Sequence, residues 1–225
     1  MQDKDSINLY WKRADGAGDA QRLTQSKVIQ HPASWSPDGK ALAFFQIDPT
    51  SSSSWSIYTL SMEGDEKTGW RPGESKPFLN TPASERYPQF SPDGRWLAYM
   101  SSESGNFEVY VRPFPGPGGK WQVSSGGGFY PTWSHTSKQL FYSAENQRIM
   151  AVTYSASGDS FQAGKPALWS DARFASRNFT RNFALHPDGK RFAVLEAPGT
   201  GAQPQVNKVV MVLNFFDELR RKFPQ

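Results

Sequence analysis

In four stretches of the chain, large apolar residues recur at alternate positions. The apolar positions are Leu42 and Phe44 in the first stretch, Leu97 and Tyr99 in the second, Leu140 and Tyr142 in the third, and Phe192 and Val194 in the fourth. Alternation with a period of two predicts a β-strand. A further bulky apolar residue precedes each stretch at the same spacing, namely Trp35, Phe90, Trp133 and Leu185. The constant spacing predicts a second strand, joined to the alternating one by a short turn.

The turn between these two strands carries a recurring motif. Ser36–Lys40 reads Ser-Pro-Asp-Gly-Lys, Ser91–Arg95 reads Ser-Pro-Asp-Gly-Arg, and His186–Lys190 reads His-Pro-Asp-Gly-Lys. Proline presets φ, aspartate tolerates the bridge conformation, and glycine accepts the positive φ that closes the turn. The third copy, Ser134–Lys138, has lost proline, aspartate and glycine. We therefore expect four β-hairpins, of which the third has the least rigid turn.

Further short apolar stretches follow each hairpin. Third strands are predicted at Ser56–Leu60, Glu108–Val111, Ile149–Val152 and Lys208–Val212, and fourth strands at Pro77–Leu79, Trp121–Val123 and Ala167–Trp169. Ile7–Trp11 and Gln21–Thr24 have the character of a third and a fourth strand with no hairpin before them. The turns recur at steps of 55, 43 and 52 residues. Four strands in a repeat of this length are typical of a β-propeller blade, whereas the alternative, an all-β sandwich, predicts no repeated turn motif.

We therefore predict an all-β fold, a β-propeller of four-stranded antiparallel blades in a single domain over residues 1–225. A half blade is expected at 6–25, and four blades at about 30–81, 84–125, 128–170 and 174–213. Because neither end has a complete set of four strands, we expect the propeller to close imperfectly. The stretch 214–223 predicts a short C-terminal helix, with Asn214 as its cap.

The blade pattern resembles a known family. The order "apolar-Ser-Pro-Asp-Gly-basic-x-Leu-Ala-aromatic", followed by Ile/Val-Tyr and then Arg-Leu-Thr, is similar to the WD-repeat-like blades of TolB-type propellers. The stretch from Tyr87 to Gly128 most resembles the propeller segment that is often fused behind bacterial serine/threonine kinase domains. The resemblance covers nearly the whole chain and implies the fold. It does not by itself imply a function, because propellers host unrelated activities.

Composition and charge narrow the classes of protein. Aromatic residues make up 14% of the chain, as expected where blades pack face to face, and there is no cysteine for disulfides or thiol chemistry. No apolar run is long enough to span a bilayer. The net charge of +4 is mild, and the basic group Arg220–Lys222 fits the solvated end of the predicted helix. We expect neither nucleic acid as a partner nor insertion into a membrane.

The sequence favours different cellular compartments for the chain as it stands and for a longer protein that contains it. Met1–Asp5 is not followed by the apolar core of a signal peptide, which favours the cytoplasm for the chain as it stands. The TolB resemblance implies an extracytoplasmic location if the chain is part of a longer protein.

Catalytic and metal-binding motifs are absent from the sequence. There is no Gly-x-Ser-x-Gly elbow, and Gly126–Gly128 lacks the Gly-Lys-Ser/Thr ending of a phosphate loop. His135 and His186 fall in hairpin turns, whereas His31 precedes the first strand of its blade. These places lie on opposite faces of a propeller, so the three imidazoles are not expected to share a metal ion. We therefore predict no enzyme activity, no metal and no cofactor.

The best candidate site is the face where the chain leads into each innermost strand. There the repeats differ on a constant scaffold, as binding loops do. The candidate residues are His31, Glu85, Arg86, Tyr87, Phe129, Tyr130, Arg177, Asn178 and Arg181. Arginine and aromatic residues are enriched at protein interfaces. The alternative interpretation is that Tyr87 and Tyr130 only pack between blades.

Together these observations predict a non-catalytic binding or sensing module for a protein, a peptide or a small ligand. A second function class stays open, that of a propeller hydrolase or lyase whose site uses channel-face residues. A third alternative is a truncated gene product that is purely structural and has no function of its own. Open blade edges and uncovered aromatic faces associate readily, so we also expect a homodimer formed through the open blade edges.

Overall fold

The computed structural model describes residues 7–48, 51–65, 69–170 and 180–195, and these residues form strands and turns without a helix. The strands are β1 Tyr10–Trp11, β2 Gln21–Arg22, β3 Gln30–Trp35, β4 Ala41–Asp48, β5 Ser51–Glu63, β6 Arg71–Leu79, β7 Glu85–Phe90, β8 Trp96–Ser101, β9 Glu108–Pro113, β10 Trp121–Gln122, β11 Phe129–Trp133, β12 Gln139–Ser143, β13 Ile149–Ser157, β14 Ser160–Ala163, β15 Ala167–Leu168, β16 Phe183–Leu185 and β17 Phe192–Val194. The all-β prediction is confirmed. The predicted strand 208–212 and the helix 214–223 lie outside the described residues.

The strands form antiparallel sheets in the order that the repeats predict. Blade 1 is β3-β4-β5-β6 and blade 2 is β7-β8-β9-β10. Blade 3 is β11-β12-β13 with β15 on its outer side, and β14 forms an additional hairpin with the far end of β13. Among the strands that the structure describes, β1 pairs only with β2, and β16 only with β17. The two ends of the described chain are therefore incomplete blades.

Apolar clusters join each blade to the next. Blades 1 and 2 meet in a cluster around Phe45, Phe90 and Leu97, and blades 2 and 3 meet around Trp96 and Trp133. Large apolar residues at alternate positions predict one buried face, but all six residues of β8 are buried. The reason is that a blade has a neighbour on each side, so the small or polar positions between the large apolar ones are covered as well.

The hairpin turns have the predicted backbone. Gly39, Gly94 and Gly189 adopt φ of 70°, 71° and 70°. Each aspartate accepts a hydrogen bond from the backbone N–H two residues later, for example from Lys40 N to Asp38 Oδ1 at 3.0 Å. The third turn differs, because the N–H of Gln139 donates to the carbonyl of Ser137 at 2.9 Å. The loss of proline, aspartate and glycine thus coincides with another turn geometry.

The described part of the chain offers no long apolar helix of the kind that crosses a bilayer.

Candidate functional site

Six of the candidate residues fall on two consecutive positions of the repeat. Counted from the turns, His31, Arg86, Phe129 and Arg181 share one position. The next position is filled by Pro32, Tyr87, Tyr130 and Asn182. In blades 1, 2 and 3 the register of the innermost strand shifts here, as in a β-bulge. Bulges re-aim side chains and are common next to functional sites.

Two of these residues have an unusual backbone. Tyr87 and Tyr130 adopt φ of 54° and 56°, in the left-handed region that bulky side chains avoid. A conformation of this kind costs on the order of 1–3 kcal/mol and persists only where the surrounding structure enforces it. Its repetition in consecutive blades shows that it is a property of the bulge. The two rings meet edge to face, with their centroids 4.8 Å apart.

Two guanidinium groups lie next to these rings. We use the name arginine–tyrosine cluster for Arg86, Tyr87, Phe129, Tyr130 and Arg181. The Arg181 Nη2 donates a hydrogen bond to the carbonyl oxygen of Pro131 at 3.0 Å, which holds its side chain against blade 3. Tyr130 is only 8% exposed, whereas Arg86, Tyr87, Phe129 and Arg181 are half-buried. The cluster therefore combines inter-blade packing with a polar surface.

His31 lies inside β3, not before the first strand of its blade as the sequence predicted, and it approaches the cluster from blade 1 through aromatic contacts. Its ring stacks on Phe45 at 5.2 Å and lies 5.2 Å from Trp55. Phe45 in turn lies 5.0 Å from Tyr87, and the Arg86 guanidinium lies 5.1 Å above the Trp55 ring. The sequence analysis did not select Trp55, which lies in a third strand. The repeat alignment places His31 and Arg86 at one position, and nothing in that alignment indicates that Trp55 lies beside them.

The electrostatics of the cluster follow from partial burial. Desolvation lowers the pKa of Arg181 to about 10, and the nearby phenols of Tyr87 and Tyr130 act in the opposite direction. Desolvation likewise lowers the pKa of Arg86, again opposed by the same two phenols. Burial raises the pKa of Tyr130 to about 12, so its hydroxyl stays protonated at neutral pH. Both guanidinium groups remain charged, and the cluster presents positive charge beside hydroxyl donors.

Glu85 is located away from this surface. It is 1% exposed, and the Thr81 hydroxyl donates a hydrogen bond to its Oε1. Desolvation raises the pKa of Glu85 to about 7, with the hydrogen bond from Thr81 acting against it. In blade 1 the equivalent residue is Gln30, which is also buried and bonds to Thr24 and Gln46. The position therefore serves to hold buried polar groups together, and Glu85 does not share the exposed face of the cluster.

Arg177 and Asn178, the remaining candidates, lie outside the described residues. Within the described ranges, no group of three or more histidine, cysteine, aspartate or glutamate residues is placed to hold a metal ion. His186 instead accepts a hydrogen bond from the Asp188 N–H at 3.2 Å within its own turn.

Comparisons with known proteins agree with this architecture. No protein-family model matches the chain. An uncharacterized protein of Agrobacterium fabrum is 27% identical over 93 residues, which are 41% of this chain and 28% of that protein. The match is too short and too distant to define a family.

Solved structures are similar in fold. A protein assigned as TolB from Agrobacterium tumefaciens matches 72% of this chain and 57% of its own, with a TM-score of 0.53 and 17% identity. TolB from Acinetobacter baumannii matches 87% of this chain and 44% of its own, with a TM-score of 0.53 and 20% identity. A protein assigned as a 6-phosphogluconolactonase from Bacteroides uniformis matches 82% and 56%, with a TM-score of 0.51 and 17% identity.

These likenesses define the fold class. The protein has a β-propeller fold of the TolB type, and the predicted resemblance is confirmed at that level. The chain spans about half the length of the solved structures that it matches.

Proposed function

We propose that the protein is a non-catalytic binding module that takes an acidic segment of a protein or peptide on the arginine–tyrosine cluster. The observation that carries the proposal is the pair of left-handed tyrosines at equivalent bulges, flanked by Arg86 and Arg181. Strained backbone concentrates at binding sites, where it preorganises side chains.

The chemistry of the cluster favours a carboxylate as the group that is bound. A guanidinium presents a rigid fork of N–H donors that matches the two oxygens of a carboxylate. The protonated Tyr87 and Tyr130 hydroxyls add neutral donors, and their rings provide contact area at low cost in side-chain entropy. Half-burial of Arg86 and Arg181 strengthens such a contact, because the local dielectric is lower than in water. An acidic peptide fits both the charge and the aromatic surface.

Selection and calorimetry test this proposal. Random short peptides displayed on phage are selected against the wild-type protein, and the strongest binders are synthesised and titrated. We expect acidic peptides to be enriched, and Arg86→Ala to weaken their binding roughly ten- to a hundredfold, as for the loss of a charge-assisted hydrogen bond. Arg71→Ala removes the same charge from the exposed outer strand β6 and should leave the affinity unchanged. Peptides without acidic residues, or equal binding by the Arg86 variant, would contradict the proposal.

The tyrosine hydroxyls need a separate variant. Tyr130 is largely buried, so its replacement by alanine would remove inter-blade packing together with the hydroxyl. Tyr130→Phe keeps the ring and removes only the donor. A lower affinity with an unchanged melting temperature is expected for a binding role. If packing between blades is the sole role of Tyr130, affinity should stay at the wild-type value.

The alternative is an enzyme, a hydrolase or lyase with its site on the channel face. One observation favours it, namely the pKa of Glu85 near 7, which is the range of a general acid or base. The burial of this carboxyl and its equivalence to Gln30 favour the structural role instead. We therefore rank the binding module first.

A further inference from the structure

Within the described residues, the first pair of strands and the last pair are complementary halves of a blade. By their place in the repeat, β1 and β2 are the third and fourth strands of a blade that precedes blade 1. The hairpin β16–β17 supplies the first and second strands of a blade that follows blade 3, and it packs on blade 3 through Phe183 and Phe192. One end therefore presents an outer pair of strands and the other end an inner pair.

Two kinds of contact join an inner hairpin to the next blade, the first seen once and the second seen twice among the described blades. In the first contact, the aromatic residue at the end of the next inner strand packs against the hairpin. Trp133 of blade 3 is 3% exposed, and its Nε1 donates a hydrogen bond to the carbonyl of Gln89 in blade 2 at 2.9 Å. The second uses the turn glycine. A Cβ added to Gly94 would lie 3.3 Å from Pro37 Cδ in the turn of blade 1, and one added to Gly189 would meet the side chain of Thr136 in the turn of blade 3.

Blade 1 lacks both contacts among the described residues. Trp35, the equivalent of Trp133, is 47% exposed. A Cβ at Gly39 would meet nothing within 4 Å. Both residues line a groove of about 700 Å³, whose apolar wall includes Leu9, Leu42 and Trp70. The groove lies where the inner hairpin of the preceding blade would stand.

We propose that this groove binds the 183–194 hairpin of a second copy of the chain, so that β16-β17 of one copy and β1-β2 of the other form one four-stranded blade. In that blade β1 takes the edge of β17 that the sequence analysis assigns to the predicted strand 208–212, so the two pairings exclude each other. The repeat sets the register. Tyr99 of β8 pairs with Tyr110 of β9, and their equivalents are Val194 in β17 and Tyr10 in β1. Val194 therefore lies opposite Tyr10. Both side chains are exposed in the single chain, at 39% and 53%.

Within the described part of the chain, the outward edges of β17 and β1 have the hydrogen-bonding groups that this pairing needs. The Leu195 N–H donates to the Asn182 carbonyl, and the His186 N–H donates to the Arg191 carbonyl. Because bonding alternates along an antiparallel pair, the N–H and C=O of Val194 point away from β16. The Leu23 N–H donates to the Leu9 carbonyl, so by the same alternation the backbone groups of Tyr10 point away from β2. Val194 and Tyr10 can thus exchange two hydrogen bonds.

The hairpin turn and the Trp35 indole add two further contacts between the copies. Pro187 is the equivalent of Pro37, so in the new blade it would rest on Gly39. Ala184 is the equivalent of Gln89, and its carbonyl would accept the Trp35 indole N–H. The interface is heterologous, with different surfaces on the two copies, and each copy carries both surfaces. Such an interface produces a closed ring or a longer array.

Mixing of two variants tests this inference independently of ligand binding. Val194→Pro removes the outward N–H of β17 while it keeps the bonds to β16, and Trp35→Arg blocks the groove at an exposed position. By sedimentation velocity, the wild-type chain is expected to form dimers or larger species as concentration rises. Each variant alone should have its association weakened by about tenfold or more, with far-ultraviolet circular dichroism unchanged.

The mixture is the decisive sample. Trp35→Arg retains an intact hairpin and Val194→Pro an intact groove, so an equimolar mixture should form a heterodimer that grows no further. If the Trp35→Arg variant does not fold, Trp35→Ser, which adds no charge, is used in its place. A wild-type chain that stays monomeric at all concentrations would overturn the inference and would mean that β17 or the groove is covered within one chain. Undiminished association of either variant, or a mixture that stays monomeric, would also overturn it.

Discussion

At the scale of single residues, blade 2 has a buried carboxyl where blade 1 has a buried amide. Glu85 is buried, and desolvation raises its pKa to about 7. An unfolded glutamate has a pKa of about 4.3. Between these values the native state holds a proton that the unfolded state has lost, so the free energy of unfolding falls as pH rises through this interval. The decrease is about 4 kcal/mol at most, and it is complete above pH 7.

Glu85→Gln should therefore flatten the dependence of stability on pH. The variant places at this position the residue that blade 1 already has at Gln30. We expect it to match the wild type near pH 4.5 and to exceed it in stability near pH 8. Urea denaturation across this range measures the difference, and Glu145→Gln, at an exposed position, is the control. Parallel curves for Glu85→Gln and the wild type would show that the carboxyl is ionised at little cost in the folded protein.

At the scale of elements, the hairpin turns allow the stability cost of backbone strain to be separated from the cost of a contact with the neighbouring blade. Gly39 and Gly94 share a positive φ, but only Gly94 faces the turn of a neighbouring blade. We expect Gly39→Val to lose about 1–3 kcal/mol through strain alone, and Gly94→Val to lose more because Pro37 must also move. Ser137→Val, in a turn without a left-handed residue, should lose least. Thermal unfolding of the three variants at low concentration checks this order, and equal losses would refute it.

The elements also show what sequence could predict. Alternation and the Pro-Asp-Gly turns predicted the inner hairpins, because both signals are local. The hairpin β13–β14 was missed, although Phe161 of β14 is 2% exposed and packs on Trp96 and Trp133. Its Ser-Gly-Asp-Ser turn follows a strand that the sequence predicted to end at Val152. Nothing local indicated that β13 continues to Ser157, since the apolar surface that it meets belongs to another blade.

The candidate site was predictable in position but not in geometry. Alignment on the turns brings Arg86 and Arg181 to one repeat position, and the structure connects both with Tyr87 and Tyr130. The left-handed φ of the two tyrosines follows from the bulge, and tyrosine itself has no preference for that region. The burial of Glu85 could not be predicted either, because a charged residue at the start of a strand is usually solvated.

At the scale of the whole molecule, stability comes from contacts between consecutive blades. Each apolar cluster joins neighbours in sequence, as in other repeat proteins, whose stability is approximately a sum over repeats and their interfaces. Among the residues that the structure describes, the first and the last repeat each pack on one neighbour, and each has an apolar face on its other side. Trp35 and Tyr10 at one end, and Val194 and Leu195 at the other, are the exposed large apolar residues of those two faces.

The contact of each turn with the turn before it has a consequence for synthesis. Gly94 rests on Pro37, Gly189 rests on Thr136, and Trp133 reaches back to Gln89, so a later residue always meets an earlier blade. A ribosome releases about 5–20 residues per second, which separates consecutive blades by seconds. We therefore expect each blade to emerge after the surface that receives it has folded. We expect nascent chains stalled in blade 3 to protect the β7–β10 segment from protease, and cleavage there would show that folding waits for chain release.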